Sequence, residues 1–192
     1  MSAIALIVAA AAAHLVFRLL YVVGVGVALR LEETRRLFTA TRGGEGGFER
    51  FRSLASPVMA LDAVTFVTMA WLTRGTLRVA IPVAVRIGVG AVLIVLAIGV
   101  KVWARETLGE KAYYWHNFFV PGAWTAPVSQ GPYRWFRNPM YTVGYLHAYG
   151  FALAMASWPA LLFALFDQGA ILVFHFAVEE PHYRRLTGRE RS

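Results

Sequence analysis

The chain has 192 residues, 58% of them hydrophobic and only 16% charged, with a formal net charge of +8 and no cysteine. About a quarter of a typical soluble domain is charged, and a chain this short has no interior large enough for so much apolar side chain, so most of it must face lipid or other helices. The missing cysteine excludes disulfides, thiol nucleophiles and cysteine metal sites, and basic residues scattered between apolar runs argue for a membrane surface and against nucleic acid.

From the N-terminus, the first apolar run spans Ala3 to Leu29 and is broken only by His14 and Arg18. Crossing a bilayer takes about 20 apolar residues. The run lacks the basic start of a signal peptide, so a retained helix is expected. The segment 30–56 is polar, and its Gly43-Gly44-Glu45-Gly46-Gly47 stretch reads as a flexible loop tip. Pro57 suits the start of a second span. A short turn at 74–78 leads to a third span, with Pro82 near its beginning. A long aromatic-rich connection, 105–139, follows. Tyr141 to Val178 is largely apolar, too long for one helix and suited to two. Ser157-Trp158-Pro159 marks the turn, because proline disfavours helix at the residue before it.

The expected fold is all-α: one polytopic membrane domain, 1–192, with about five transmembrane helices. The spans are expected near 3–29, 57–73, 79–103, 141–157 and 159–178, the last two as a helical hairpin. The polar pieces 30–56, 101–139 and 179–192 carry 6, 5 and 4 Lys or Arg, against only Arg74 and Arg78 on the other side. That asymmetry places the N-terminus outside and the C-terminus in the cytoplasm. Asp62, His147 and His175 then lie a turn or two inside the cytoplasmic face. Ionisable groups at that depth are functional candidates, with mutual pairing as the plainer alternative. Arg18 and Asp167 fall near mid-membrane and would pair, while Arg86 snorkels outward. Gly24, Gly26, Gly88 and Gly90 suit close helix packing.

Two polar clusters share the cytoplasmic end: Gly131-Pro132-Tyr133-Arg134-Trp135-Phe136-Arg137-Asn138-Pro139-Met140-Tyr141, and Glu179-Glu180-Pro181-His182-Tyr183. A hairpin between them brings both to one face, so Arg137 and Glu179 or Glu180 would line one pocket. Arginine and tryptophan at a helix end are also ordinary interfacial anchors. An anchor, however, does not need glycine, two prolines, two tyrosines, two arginines and asparagine in one short order. His116 lies in the same connection but is a lone histidine. No P-loop and no metal-ligand cluster is present in the sequence.

The run Gly131 to Tyr141 followed by Glu179-Glu180 resembles the isoprenylcysteine carboxyl methyltransferase and phospholipid methyltransferase superfamily of integral membrane enzymes, whose usual pattern is G-P-Y-R-x-x-R-H-P-x-Y, a helical hairpin, then E-E. The resemblance covers roughly residues 100 to 190. It implies S-adenosylmethionine as methyl donor, a cofactor region at 104–141 and 179–192, and a lipophilic or lipid acceptor arriving from the bilayer. The residues carried over as cofactor-binding are Gly131, Tyr133, Arg137, Asn138, Pro139, Tyr141, Glu179 and Glu180. Arg137 suits the carboxylate of the donor through paired hydrogen bonds. A glutamate suits the ribose hydroxyls or the ammonium, and Tyr133, Trp135 and Tyr141 offer faces for the adenine or the sulfonium. The usual histidine is Asn138 here, which hydrogen-bonds but does not titrate near neutral pH, and no catalytic residue is assigned. The membrane is expected to be that of a bacterial or archaeal cell, with the site facing the cytoplasm. The alternatives are an NADPH-dependent membrane reductase related to sterol reductases and a non-enzymatic membrane protein.

Overall fold

The computed structural model describes residues 2–120, 122 and 128–187. Those residues are helical and contain no strand. Helix α1 runs Ala3–Arg35, α2 Thr39–Leu72, α3 Val83–Leu108 and α5 Trp158–Leu186; each is long and apolar enough to cross a membrane. Between α3 and α5 lies a shorter helix, α4, Leu146–Met155. Apolar side chains on the outside, such as Ile4, Val95 and Val173, are at least two-thirds exposed, which only a lipid solvent tolerates in such density.

Local signals explain the helix ends. The Ser2 hydroxyl accepts the Ala5 N–H at 3.2 Å and caps α1. A π-helical turn at Leu20–Gly24 interrupts it. It ends at Arg36, in left-handed geometry. The buried Glu32 carboxylate then accepts the Phe38 N–H at 2.7 Å and bonds to the Thr39 hydroxyl, so α2 begins almost immediately. Pro82 precedes the first residue of α3. Ser157 caps α5, accepting the Ala160 N–H at 3.1 Å, with Pro159 in the first turn.

Several expectations change. The segment 30–56 is not a loop with a flexible tip: α1 ends within it and α2 runs from Thr39, broken only at Gly43, whose φ of 68° is left-handed. The neighbouring glycines permit close packing, since a Cβ on Gly47 would lie 2.7 Å from the Thr39 side chain and one on Gly44 3.1 Å from the Phe119 carbonyl. Pro57 consequently lies inside α2 and not at its start. The segment 141–157 contributes only the 10 residues of α4, about 15 Å of helix against a hydrocarbon core of about 30 Å. Tight turns complete its length, including Gly144 N–H to Pro139 carbonyl at 2.8 Å. Irregular backbone at membrane depth is tolerated where it is buried in protein or lines a cavity, and Tyr141 and Tyr145 line one.

The expected hairpin turn forms at Ala156–Ser157. It is bound to the α2–α3 turn: Gly75 N–H to Met155 carbonyl at 3.0 Å, Leu77 N–H to Ala156 carbonyl at 2.7 Å, and Thr73 to Ser157 hydroxyl at 2.6 Å. These two turns therefore share one end of the bundle. Helices α3 and α4 approach closely, with a Cβ on Gly90 falling 2.6 Å from the Gly150 carbonyl oxygen and the reverse equally short. Gly88 has nothing within 4 Å and plays no such part.

In the bundle interior Arg18 bridges Asp62 at 2.6 Å and Asp167 at 2.9 Å and donates to the Tyr145 hydroxyl at 3.0 Å. His14 completes the group, 3.1 Å from Asp167. The expected Arg18–Asp167 pair is thus part of a buried cluster, which satisfies charges that would be costly alone.

Candidate functional site

At the end of the bundle opposite the two turns lies a cavity of about 1240 Å³. Its walls come from segments far apart in sequence: Glu45 at the start of α2, the 108–117 stretch, the 133–141 turns, and α5 from His175 to Thr187. A pocket this large exceeds the roughly 300–1,000 Å³ of a drug-sized site and has room for two reactants.

The α5 side is shaped by a π-helical turn at His175–Glu179. One extra residue in that turn re-aims the side chains beyond it, a device common at functional sites. Glu179 is directed inward and is 5% exposed. Its carboxylate accepts hydrogen bonds from Trp115 Nε1 at 2.5 Å and Tyr141 Oη at 2.7 Å, and contacts His175 Nδ1 at 2.6 Å. Three partners therefore occupy it, and it ties three wall segments together. Glu180 lies at the mouth. Arg137 and Arg184 both donate to its Oε1 at 2.7 Å, and its Oε2 has no hydrogen-bond partner among the described residues. The Arg137 side chain is 79% exposed, so its guanidinium retains donors that face solvent and cavity.

The opposite rim is a second charged group: Lys111 reaches Glu45 at 3.1 Å, and His116 Nε2 approaches the same carboxylate at 3.1 Å. Burial, with Glu179 adding to it, raises the Tyr133 hydroxyl well above its ordinary pKa. Burial does the same to Tyr113. Both phenols therefore remain protonated donors across the physiological range.

Of the residues expected from sequence, Tyr133, Arg137, Asn138, Tyr141, Glu179 and Glu180 all line this cavity. Gly131 and Pro139 do not. Gly131 packs on Thr107 and Trp103 with φ of 55°, and Pro139 is buried beneath the turn whose carbonyl it supplies. Trp135 lies outside as well, 63% exposed and packed on Trp103 at 5.6 Å. Trp115, Lys111 and Tyr113 line the cavity without having been singled out. The aromatic run 113–115 was the available signal, but nothing in its spacing says which ring turns inward. The part of the cofactor region at 121, 123–127 and 188–192 lies outside the described residues.

The sequence model of a family described as "Phospholipid methyltransferase" matches residues 85–190. Among curated proteins, the "Phosphatidylethanolamine N-methyltransferase" of Clavispora lusitaniae is 31% identical over 72% of this chain and 17% of its own length. The protein of the same description from Scheffersomyces stipitis is 30% identical over 74% of this chain and 18% of its own. That from Candida tropicalis is 35% identical over 56% of this chain and 12% of its own. This chain therefore spans less than a fifth of the length of these relatives. They are yeast proteins, so the placement in a bacterial or archaeal membrane rests on the sequence reading alone. No solved structure matches.

Proposed function

Since the chain belongs to the phospholipid methyltransferase family, we propose that it transfers a methyl group from S-adenosylmethionine to the amino group of an ethanolamine phospholipid at the cytoplasmic face of its membrane. The observation that carries this reading is the convergence of Tyr133, Arg137, Asn138 and Tyr141 with Glu179 and Glu180 around one cavity at one end of a lipid-facing bundle. The single membrane domain, its orientation and the cofactor region at 104–141 and 179–192 belong to the same proposal. A family membership of this kind speaks against the reductase and non-enzymatic alternatives.

The residues fit the donor. Arg137 offers unpaired guanidinium donors to a carboxylate, and Glu180 offers a free oxygen to an ammonium or ribose hydroxyl. The rings of Tyr133, Tyr141 and Trp115 give faces for adenine and for a sulfonium cation. When bound, S-adenosylmethionine supplies an electrophilic methyl group on a positively charged sulfur. The protein's task is to hold the acceptor in line with that methyl, which is worth several orders of magnitude by orientation alone.

An amine acceptor must lose its proton before it can attack. His175 is placed for this: its Nδ1 is engaged by Glu179 at 2.6 Å, it lines the cavity, and its Nε2 has no hydrogen-bond partner among the described residues. Tyr113, Trp115, Met140 and Tyr141 give the cavity wall large, mostly apolar surfaces. Calorimetric titration of the purified chain with S-adenosylhomocysteine tests the reading: one site per chain, weakened about ten- to a hundredfold in Glu180→Gln, supports it. No binding by the wild-type protein overturns it.

A further inference from the structure

A second cavity of about 390 Å³ lies deeper in the bundle, and Tyr113, Trp115, Met140 and Tyr141 belong to the walls of both. Its charges close on themselves: Arg18 and Lys101 stand against Asp62 and Asp167, two cations and two anions. A further ion here would be left unpaired at high cost, so the part of any ligand that enters carries no net charge. The rest of the wall is mainly apolar, with Met59, Ala63, Phe66 and Val67 from α2 and Ile94 and Ile98 from α3.

The cavity is open to the side. Helix α2 packs on α1 and α3 on α4, while α2 and α3 make no extended contact with each other among the described residues. Val67 and Ile98 line the cavity from these two helices and remain 46% and 50% exposed. Counted from the turn that joins the helices, Val67 lies five residues from Leu72 and Ile98 fifteen from Val83, about 8 and 22 Å along them. The opening is therefore a slot elongated along the bundle, with hydrocarbon outside it. Lys101 stands at its inner end, about 27 Å from Val83, close to the boundary of a hydrocarbon core about 30 Å thick. Asp62 attracts its ammonium, so its charge is balanced, but it makes no hydrogen bond with the described residues. Its close neighbour is the Tyr145 ring, with Nζ 5.2 Å from the centroid. A partly buried donor without an acceptor is costly, and an uncharged carbonyl at that depth satisfies it without upsetting the balance.

We propose that this slot receives one acyl chain of the acceptor lipid from the bilayer, with the ester carbonyl of that chain accepting a hydrogen bond from Lys101 Nζ. The chain lies between α2 and α3. The headgroup passes Met140 and Tyr141 into the first cavity, so its phosphate and amine stay clear of the neutral cluster. The identity of the headgroup rests on the methyltransferase reading above; the chain slot does not.

The test uses the full chain in nanodiscs and a phosphatidylethanolamine carrying a diazirine midway along one acyl chain, with no methyl donor present. Photolysis should place the adduct on residues 59–67 and 94–98, and unlabelled lipid should compete. Ala63→Phe narrows the slot from an exposed position. It should cut that labelling at least tenfold, the contribution of about two buried methylene groups, while S-adenosylhomocysteine affinity is unchanged. Should Ala63→Phe fail to fold, Val67→Trp is expected to give the same selective loss. With the wild-type chain, a diether analogue, which lacks the carbonyl, should compete about tenfold less well than the diester. Labelling equal in wild type and the narrowed variant, or confined to outward residues such as Val92 and Val95, overturns the slot. Equal competition by diether and diester overturns Lys101 as the partner of the carbonyl. Slot labelling intact in a wild-type chain that binds no S-adenosylhomocysteine would sink the methyltransferase reading alone.

Discussion

Glu179 and Glu180 are neighbours in sequence with separate duties, and Glu179→Gln separates them. The native carboxylate is 5% exposed and engages Trp115, Tyr141 and His175. Hydrogen bonds to a charged acceptor contribute about 1.5–3 kcal/mol and neutral ones about 0.5–1.5. Neutralising the acceptor therefore weakens the Trp115 and Tyr141 bonds by about 1 kcal/mol each, and the new amide nitrogen must meet His175 as a donor, forcing a tautomer change. The loss is about 2–3 kcal/mol of stability. For a chain of this length each kcal/mol moves the unfolding midpoint by about 2–4 °C, so thermal unfolding in detergent should fall by roughly 4–12 °C. Glu180→Gln perturbs exposed pairs with Arg137 and Arg184, worth at most about 1 kcal/mol. Its midpoint should move by no more than about 4 °C while its S-adenosylhomocysteine affinity falls. An unchanged midpoint in Glu179→Gln together with a large loss of affinity would make Glu179 a direct ligand contact and refute the assignment of its three bonds to the wall.

His175→Gln should lower turnover of an amine acceptor, and the deficit should shrink as pH rises, because more of the acceptor is already unprotonated; a deficit constant across the alkaline range would remove His175 as the base. Arg18→Met strands Asp62 and Asp167 without their cation, and breaking a buried pair costs about 3–5 kcal/mol, so fluorescence-detected size exclusion should show little folded protein. Gly90→Ala drives a methyl into the Gly150 carbonyl and should cost about 1–3 kcal/mol, read as a lower unfolding midpoint. The sequence has no cysteine, so single cysteines at positions 42 and 78 report topology without background. Impermeant labelling of intact cells should reach 78 and not 42, and equal labelling of both from one side would contradict the proposed orientation.

Hydropathy made the long helices legible, and proline placed the hairpin turn at Ser157. The composition of residues 43–47 misled, because glycine serves both flexible tips and tight packing. Only the contacts at Thr39 and Phe119 distinguish the two. The half-length of α4 was hidden because Tyr141 to Met155 is largely apolar, and hydropathy does not register a 3₁₀ turn. In the site, the two motifs were legible as a pair because a hairpin forces their ends together. The inward turn of Glu179 was not, since it depends on the π-helical turn before it. Trp115 was missed for a related reason: its role comes from a partner distant in sequence, Glu179, and no spacing rule points to it.

The most direct test of the account supplies methyl-labelled S-adenosylmethionine and phosphatidylethanolamine vesicles to the purified chain and follows the lipid by mass spectrometry. Successive gains of one labelled methyl on the headgroup amine, reduced at least tenfold in Arg137→Ala and Glu180→Gln, are the predicted result. Label appearing on no lipid, or appearing equally with both variants, would contradict the assignment of this cavity to methyl transfer.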